Sequence, residues 1–325
     1  MLAAVYERTG PAGEVLEVRE VETPEPDAGW VRVRMHVSGV NPTDWKSRSG
    51  STSSPTRPFQ VPHHDGAGVI DAVGPGVPET RVGERVWVFL AAYTSPYGTA
   101  AEYTVVPAAH AVPLPDGASF ELGAGLGVPA LTAHRCLTAD GPIAGATVLV
   151  AGGAGAVGHS AIELARFLGA KRVLATASTD AKQELARAAG ADPVVDYRRD
   201  DAAERIRAAA PDGVDRIVEV SISDNAALDL EVLAPHGVVA SYASTGAPLH
   251  AEVRPLMTKN VVLRFVLLYG VPEEALVAGA RDVTRAVEAG ALTALPEHHF
   301  TLRQVAEAQG AVEHGATGKV LVQVG

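Results

Sequence analysis

Thr147-Val148-Leu149-Val150-Ala151-Gly152-Gly153-Ala154-Gly155-Ala156-Val157-Gly158 runs from a short apolar stretch into a glycine-rich turn. Ala161-Ile162-Glu163-Leu164-Ala165-Arg166-Phe167-Leu168 follows, apolar at helical spacing. Strand, tight turn and helix N-terminus together make a site for a pyrophosphate: glycines let the backbone approach the phosphates, and the first helical turn offers unpaired N–H groups. Gly153, Gly155 and Gly158 fit G-x-G-x-x-G; Gly152, Gly155 and Gly158 fit G-x-x-G-x-x-G. A lone glycine motif is weak, but here a strand precedes it and a helix follows, the context that dinucleotide binding requires.

The rest of the chain is organised around that turn. Upstream, the first 120 or so residues read as β-rich. Val31, Val33, Met35 and Val37 alternate with Arg32, Arg34, His36 and Ser38, the period of a half-buried strand. Further β-like runs lie at 67–73, 85–90 and 101–106, punctuated by Pro75-Gly76, Val82-Gly83 and the segment 113–117. From about Phe120 strands and helices alternate. Strands are expected at 147–151, 172–176, 193–195, 215–220, 238–242 and 261–267, with helices at 157–168, 181–189, 202–209 and 225–233. Such alternation implies α/β architecture with a parallel doubly wound sheet. Amphipathic helices at 273–288 and 302–313 and a closing strand at 319–324 return to another style. We therefore expect residues 1–121 and 269–325 to form one domain and 122–268 the nucleotide domain.

Bulk properties narrow the function classes. At 325 residues with 47% hydrophobic content the chain can bury two large cores. A formal net charge of −11 argues against nucleic acid or an anionic membrane as partner. Cys136 is the one cysteine, which excludes an internal disulfide and a cysteine-based zinc site. No residue from Gly141 to Gly158 is charged, but six glycines in that stretch fit a buried strand and phosphate loop, not a membrane span. The N-terminal residues lack an apolar signal core before their first charges, so a cytoplasmic location is expected.

In a sheet of this type, an acid at the end of the second strand favours NAD, because it accepts from the ribose 2′-hydroxyl and repels a 2′-phosphate. Twenty residues past Gly158 stands Ser178, a phosphate donor, with the cationic Lys182 four residues on. Tyr197 and Arg198 follow the third strand and close on the same place. The combination favours NADPH. Against it, Ser178 or Thr179 suits a helix cap, and Asp180 followed by Gln183 suits a capping box or a ribose contact.

Taken in order, the landmarks Gly39-Val40-Asn41-Pro42-Thr43-Asp44, Asp65-Gly66-Ala67-Gly68-Val69-Ile70, Val82-Gly83-Glu84-Arg85-Val86, Gly98-Thr99-Ala100-Ala101-Glu102-Tyr103, Leu131-Thr132-Ala133, Gly190-Ala191-Asp192 and Ala316-Thr317-Gly318-Lys319-Val320 give the chain a resemblance. From Leu2 to Val324 it resembles the zinc-free, zeta-crystallin-like quinone oxidoreductases of the medium-chain dehydrogenase/reductase superfamily. The resemblance implies a GroES-like domain beside a Rossmann domain, NADPH in the cleft, and a homodimer. It places Asn41 and Thr132 near the nicotinamide, and Gly152, Gly155, Ala156 and Val157 on the pyrophosphate. Ser178, Lys182 and Tyr197 would hold the 2′-phosphate. Tyr242, Ser244, Val266 and Leu267 would lie beside the nicotinamide ribose and ring, and Lys319 would reach back from the last strand.

Zinc enzymes of the same superfamily carry a cysteine, a His-Glu pair and a second cysteine at positions that match Asn41, His64-Asp65 and Val128. Two thiolates are thus absent, and His63 and His64 are expected as surface or cleft residues; His298-His299 has no acid at ligand spacing. With no metal to polarise an oxygen, the cofactor must supply the driving chemistry. An acceptor activated by its own electron withdrawal, a quinone or an enone, suits hydride delivery. Asn41 or Lys46 is the candidate to stabilise the oxyanion. Lys46 follows Trp45 where many relatives have Thr-Tyr, and its plainer role is to lie along that ring at the surface. Reduction of an activated C=C bond is the alternative reading. A structural or RNA-binding role of the crystallin type is a third, weakened by the acidic charge and by the complete set of glycines.

Overall fold

The computed structural model describes residues 1–52, 57–244 and 246–325. In chain order its strands are β1 (Leu2–Val5), β2 (Glu17–Glu20), β3 (Trp30–Val40), β4 (Asp65–Val73), β5 (Arg85–Val88), β6 (Tyr103–Pro107), β7 (Ala111–Pro113), β8 (Thr147–Val150), β9 (Arg172–Thr176), β10 (Val194–Val195), β11 (Val214–Glu219), β12 (Leu233–Ser241), β13 (Val262–Phe265), β14 (Glu297–Thr301) and β15 (Lys319–Gln323). The chain divides into two compact units, Met1–Val128 with Ala280–Glu288 and Ala294–Gly325, and Pro129–Gly279 with Ala289–Thr293. No described helix is long and apolar enough to cross a membrane.

The first unit is built on a sheet of order β14-β15-β3-β4-β5-β7, with β6 also on β3 and a separate β1-β2 ribbon. Pairing is antiparallel except for β14 with β15. Val31, Val33 and Met35 face the core with Ile70 and Val86, as the alternation requires. The alternation ends at Ser38, which is buried like its neighbours Val37, Gly39 and Val40. The cause is β15, which pairs Val320 with Val40 and Val322 with Ser38 and covers that end of β3. This crossing brings Lys319 to Asn41.

The second unit holds a six-stranded parallel sheet of order β10-β9-β8-β11-β12-β13. That is the doubly wound dinucleotide-binding order, with the glycine turn following the central strand β8. Leu149, Leu174, Ile217 and Val239 from four neighbouring strands meet Ile206 and Val232 from covering helices.

The expected limits of the nucleotide domain shift. Residues 122–128 belong to the first unit, because the Gly127–Thr138 helix begins on Asp65 of β4, whose carboxylate accepts from Val128 N at 2.8 and 2.9 Å. The return, expected at 269, comes inside the Glu273–Glu288 helix. Residues 289–293 rejoin the second unit: Thr293 N donates to Glu163 Oε2 at 3.1 Å and Thr293 Oγ1 donates to Glu163 Oε1 at 2.5 Å. The helix expected at 302–313 is a 3₁₀ turn, Leu302–Gln304, followed by an α-helix from Val305.

Candidate functional site

The glycine turn of the second unit is a distribution of labour. Gly152 has φ +68°, a left-handed conformation that suits glycine. Its N–H donates to Thr176 Oγ1 at 3.3 Å, and Gly153 N donates to Thr176 O at 3.0 Å, tying the turn to β9. A Cβ at Gly153 would lie 2.8 Å from Ala175 Cβ, and one at Gly158 would lie 2.3 Å from Gly152 O. Those two glycines permit close packing. Gly155 is different: it is exposed, and an added Cβ meets only Gly152 O, at 3.5 Å. It is the N-cap of the Ala156–Phe167 helix, with no side-chain cap. The N–H groups of Ala156, Val157 and Gly158 therefore have no intrahelical acceptor. An open face, a glycine without a neighbour above it and a helix N-terminus suit the pyrophosphate of a dinucleotide.

At the end of β9, Thr179 takes the capping role: its Oγ1 accepts from Lys182 N at 3.3 Å. Ser178 is thereby left uncommitted as a cap, and its carbonyl accepts from Arg198 Nη2. Arg198 is gripped by Asp196 through Nε and Nη2 at 2.9 and 2.7 Å, and the guanidinium holds the Asp196 carboxyl below its ordinary range. Ser178 and Lys182 are half-buried; Tyr197 is exposed. Arg198 is thus brought onto Ser178, a contact set by the β9–β10 pairing of Thr176 with Val195.

The remaining expected contacts in this unit end strands or sit in a helix. Thr132 is buried in the Gly127–Thr138 helix. Tyr242 follows β12 and donates its N–H to Glu219 O at 3.1 Å; Ser244 is exposed and its Oγ accepts from Gly246 N at 3.0 Å. Val266 is buried, whereas Leu267 is 68% exposed.

In the first unit, Asn41, Asp65 and Lys319 meet in one buried network. Lys319 Nζ donates to Asn41 Oδ1 at 2.8 Å and to Val40 O at 3.2 Å. Asn41 Nδ2 donates to Asp65 Oδ2 at 2.6 Å, and Asp65 also accepts from Val128 N at the start of its helix. A Cβ at residue 127 would lie 2.1 Å from Asp65 Oδ1, so Gly127 is what lets the carboxylate dock. Burial raises Asp65 to about 6, against the lowering pull of Lys319, Asn41 and Val128. Burial raises Asp44 further, to about 8, though its Oδ2 accepts from Asn41 N at 2.7 Å. Burial also pulls the Lys319 ammonium down, while Asp65 and Asp44 push it back up. Asp44 Oδ1 lies 3.9 Å from His64 Nε2.

His63 and His64 are buried, not at the surface. His63 sits in a hydrogen-bond chain of one direction. Gln309 Oε1 accepts from Arg48 Nε at 3.0 Å, so Gln309 Nε2 donates to His63 Nε2 at 3.2 Å. Thr99 Oγ1 donates to Asp65 O at 2.6 Å, so it accepts from Ser38 Oγ at 2.7 Å. Ser38 in turn accepts from His63 Nδ1 at 2.9 Å. The ring is therefore the neutral Nδ1–H tautomer with both nitrogens committed, and burial lowers it to about 3. His64 is lowered by burial to about 4. Lys46 stands apart from this network, half-buried, with Nζ 5.8 Å from the Trp45 ring centroid.

Asp65 and Asp44 stand in the landmark stretches, but sequence reasoning assigned neither a part in the site. Asn41-Pro42-Thr43-Asp44 did carry a signal, an N-cap, a proline at N1 and an acid at N3, which marks the Pro42–Ser49 helix that the pattern reading passed over. The Lys319–Asn41 contact had none, because it depends on the β15–β3 register.

Comparison with known proteins places this geometry. Residues 27–116 match the alcohol dehydrogenase GroES-like domain, and residues 156–281 match the zinc-binding dehydrogenase family. The chain is 33% identical to human quinone oxidoreductase, over 98% of this chain and 96% of that protein. A solved NAD-dependent alcohol dehydrogenase superposes with TM-score 0.88 at 29% identity, covering 100% of both chains. A mycobacterial protein solved in complex with NADPH superposes with TM-score 0.85 at 29% identity, over 99% of this chain and 100% of that one. With a Rossmann unit, a GroES-like unit and whole-chain similarity to quinone oxidoreductases, the chain belongs to the medium-chain dehydrogenase/reductase superfamily and is an oxidoreductase of it.

Proposed function

We propose that this protein reduces quinones with NADPH and does so without zinc. The observation that carries the reading is the Lys319–Asn41–Asp65 network. A catalytic zinc site needs three protein ligands of the Cys, His or carboxylate type. Of the matched positions here, Asn41 contributes an amide, Val128 contributes only a backbone N–H, and that N–H is spent on Asp65. An ammonium lies 2.8 Å from the amide oxygen, and a fixed cation there disfavours a second one. Among the described residues no group of three His, Cys, Asp or Glu side chains suits a metal. These residues do not fit zinc, and no step here uses it.

NADPH, when bound, supplies the hydride. Gly152, Gly155, Ala156 and Val157 hold the pyrophosphate; Ser178, Lys182 and Tyr197, joined by Arg198, hold the 2′-phosphate. Tyr242, Ser244, Val266, Leu267 and Thr132 serve the nicotinamide end. A quinone that accepts a hydride gathers negative charge on a carbonyl oxygen and becomes a hydroquinone after taking one proton from water. Asn41 offers a hydrogen bond to that oxygen. An enone makes the same demand with a less delocalised anion, so weaker enone reduction is expected. Oxidation of a simple alcohol needs a base to take its proton, and His63 has neither nitrogen free for that.

The test is steady-state NADPH oxidation against quinones, enones and alcohols, with and without chelator. Quinone turnover should survive exhaustive chelation; alcohol oxidation without quinone reduction would reject the reading. Losing the Lys182 cation to Ala should weaken NADPH about tenfold or more, since a charge-assisted phosphate contact contributes roughly 1.5–3 kcal/mol, and should leave NADH nearly unchanged. Equal affinity of the unaltered protein for both cofactors would remove the NADPH preference.

A further inference from the structure

We propose that Lys319 and Asp65 are positioning residues that hold the Asn41 carboxamide in one orientation, so that its second N–H is the fixed donor to the oxygen that becomes negative during reduction. The inference rests on the quinone-reductase reading above, where these charges speak only against a metal, and gives them a part in the reaction.

The amide lies between opposite charges. Its oxygen accepts from the Lys319 ammonium at 2.8 Å and its nitrogen donates to Asp65 at 2.6 Å. A half-turn of the amide would set N–H against ammonium and C=O against carboxylate, turning two charge-assisted bonds into two repulsions. O and N have nearly the same shape, so it is the hydrogen-bond partners that decide which end of the amide is which. One Nδ2 hydrogen is spent on Asp65; the other has no acceptor among the described residues.

Both charges are themselves fixed by the fold. Lys319 opens β15, and the pairing of Val320 with Val40 sets its stem across β3. Gly39 is bare chiefly because a Cβ there would lie 2.0 Å from Ala124 O, and the same space leaves Lys319 Cε, 3.2 Å from that Cβ position, unobstructed. Val40 O takes a second hydrogen of the ammonium. Asp65 opens β4 and lies on the N-terminus of the Gly127–Thr138 helix, whose dipole favours an anion. Its backbone carbonyl is held in turn by Thr99. Asn41 is locked at its main chain, where its N–H donates to Asp44. Lys319, Asp65 and Asn41 are all nine-tenths or more buried, so solvent does not compete for these bonds. Lys319 pulls the Asp65 carboxyl down and Asp65 pushes the Lys319 ammonium up, so each favours the charged form of the other. An internal cation thus does mechanical work on a neutral donor, in a protein whose donor set does not fit a metal.

The test uses the full chain and the variants Lys319→Met, Lys319→Arg, Asp65→Asn, Asn41→Ala and the Lys319→Met/Asp65→Asn double variant. Turnover of 1,4-benzoquinone at saturating NADPH should fall about tenfold or more in Lys319→Met, the loss expected of a misplaced charge-assisted donor. NADPH affinity, read by fluorescence, should stay within about twofold, well inside the tenfold that a lost charged contact would cost. Lys319→Arg should recover part of the turnover. Asn41→Ala and the double variant should fall to the same floor as Lys319→Met, because all act through one amide. Independently of activity, the Asn41 side-chain amide protons, assigned by their loss in Asn41→Ala, should exchange with water faster in Lys319→Met. Unchanged turnover and exchange in Lys319→Met would overturn the proposal. So would a loss of NADPH affinity without loss of turnover, which would make Lys319 a cofactor contact. If the unaltered enzyme reduces neither quinones nor enones, the reading of the reaction fails, and the exchange rates still decide the positioning role.

Discussion

Asp44 and Asp65, both inside landmark stretches and both raised by burial, are raised to different extents, and the difference lies in their neighbours. Asp65 has the Asn41 amide, the Val128 N–H and the nearby Lys319 charge; Asp44 has chiefly the Asn41 N–H. Burial therefore raises Asp65 only to about 6 but Asp44 to about 8, so Asp44 holds its proton to higher pH than Asp65. For an acid whose folded pKa is raised, bound protons favour the folded state at low pH. That contribution is lost as pH rises from the unfolded value near 4 through the folded value. Asp44→Asn has no proton to lose. It should gain stability relative to the native protein as pH rises from about 4 toward 8, and the gain should level off above 8. Asp65→Asn at pH 7 leaves the Lys319 ammonium buried without a counter-ion and should cost about 3 kcal/mol or more. Urea unfolding at pH 5, 7 and 9 measures both; a pH-independent Asp44→Asn difference would show that Asp44 is ionised throughout. At this scale the sequence was a partial guide. Asn41 was marked as a nicotinamide contact and a candidate oxyanion donor, and Lys319 as a cofactor contact, with nothing in the sequence to join the two. The burial of His63 was invisible because its ring partners Ser38 and Gln309 come from remote segments.

Elements were more legible than contacts, and the glycine turn shows why and how far. A central parallel strand is buried on both faces, so it reads as a plain apolar run. The strand at Arg172–Thr176 and the helix at Ala202–Ala209 fall on their expected limits. The helices passed over, Gly127–Thr138 and Val253–Lys259 among them, begin or continue through glycine and proline and lack a clean apolar stripe. Within the turn, the motif did not say which glycine serves packing and which serves the ligand. The structure separates them, and a pair of variants tests the separation. Gly155→Val places its Cβ over open space and should fold with a loss under about 1 kcal/mol, mostly from a poorer N-cap, yet should not bind NADPH. Gly158→Val drives its Cβ to 2.3 Å from the backbone oxygen of Gly152. It should cost about 3 kcal/mol through strain that the backbone cannot relieve. Thermal unfolding and NADPH fluorescence titration of both decide it. Normal binding by Gly155→Val would make the loop an ordinary turn, and a well-folded Gly158→Val would refute the packing role.

At the scale of the whole molecule, β13 bears on assembly. It pairs with β12 on one side and with no other described strand. An unpaired edge is a liability that soluble proteins blunt with charge, proline or a covering element. Here the edge carries Phe265, 63% exposed, and is followed by Leu267, 68% exposed; the adjacent Val253–Lys259 helix exposes Val253 and Met257. Scattered apolar residues on a surface need no explanation, but four large ones beside an open strand do. A second copy satisfies both needs at once. Two β13 edges can pair antiparallel across a twofold axis, each supplying the partner the other lacks, which is an isologous and closed contact. The net charge of −11 opposes association of two copies, so the pairing must rest on apolar burial and backbone hydrogen bonds, and salt should strengthen it. We therefore predict a homodimer at micromolar concentration, as the quinone oxidoreductase resemblance implies. Sedimentation velocity should show a dimer for the unaltered protein and a folded monomer for Phe265→Asp/Leu267→Asp, since four carboxylates, two from each copy, would be buried at the contact without partners. A monomeric unaltered protein in high salt, or a double variant that remains dimeric, would remove β13 as the interface.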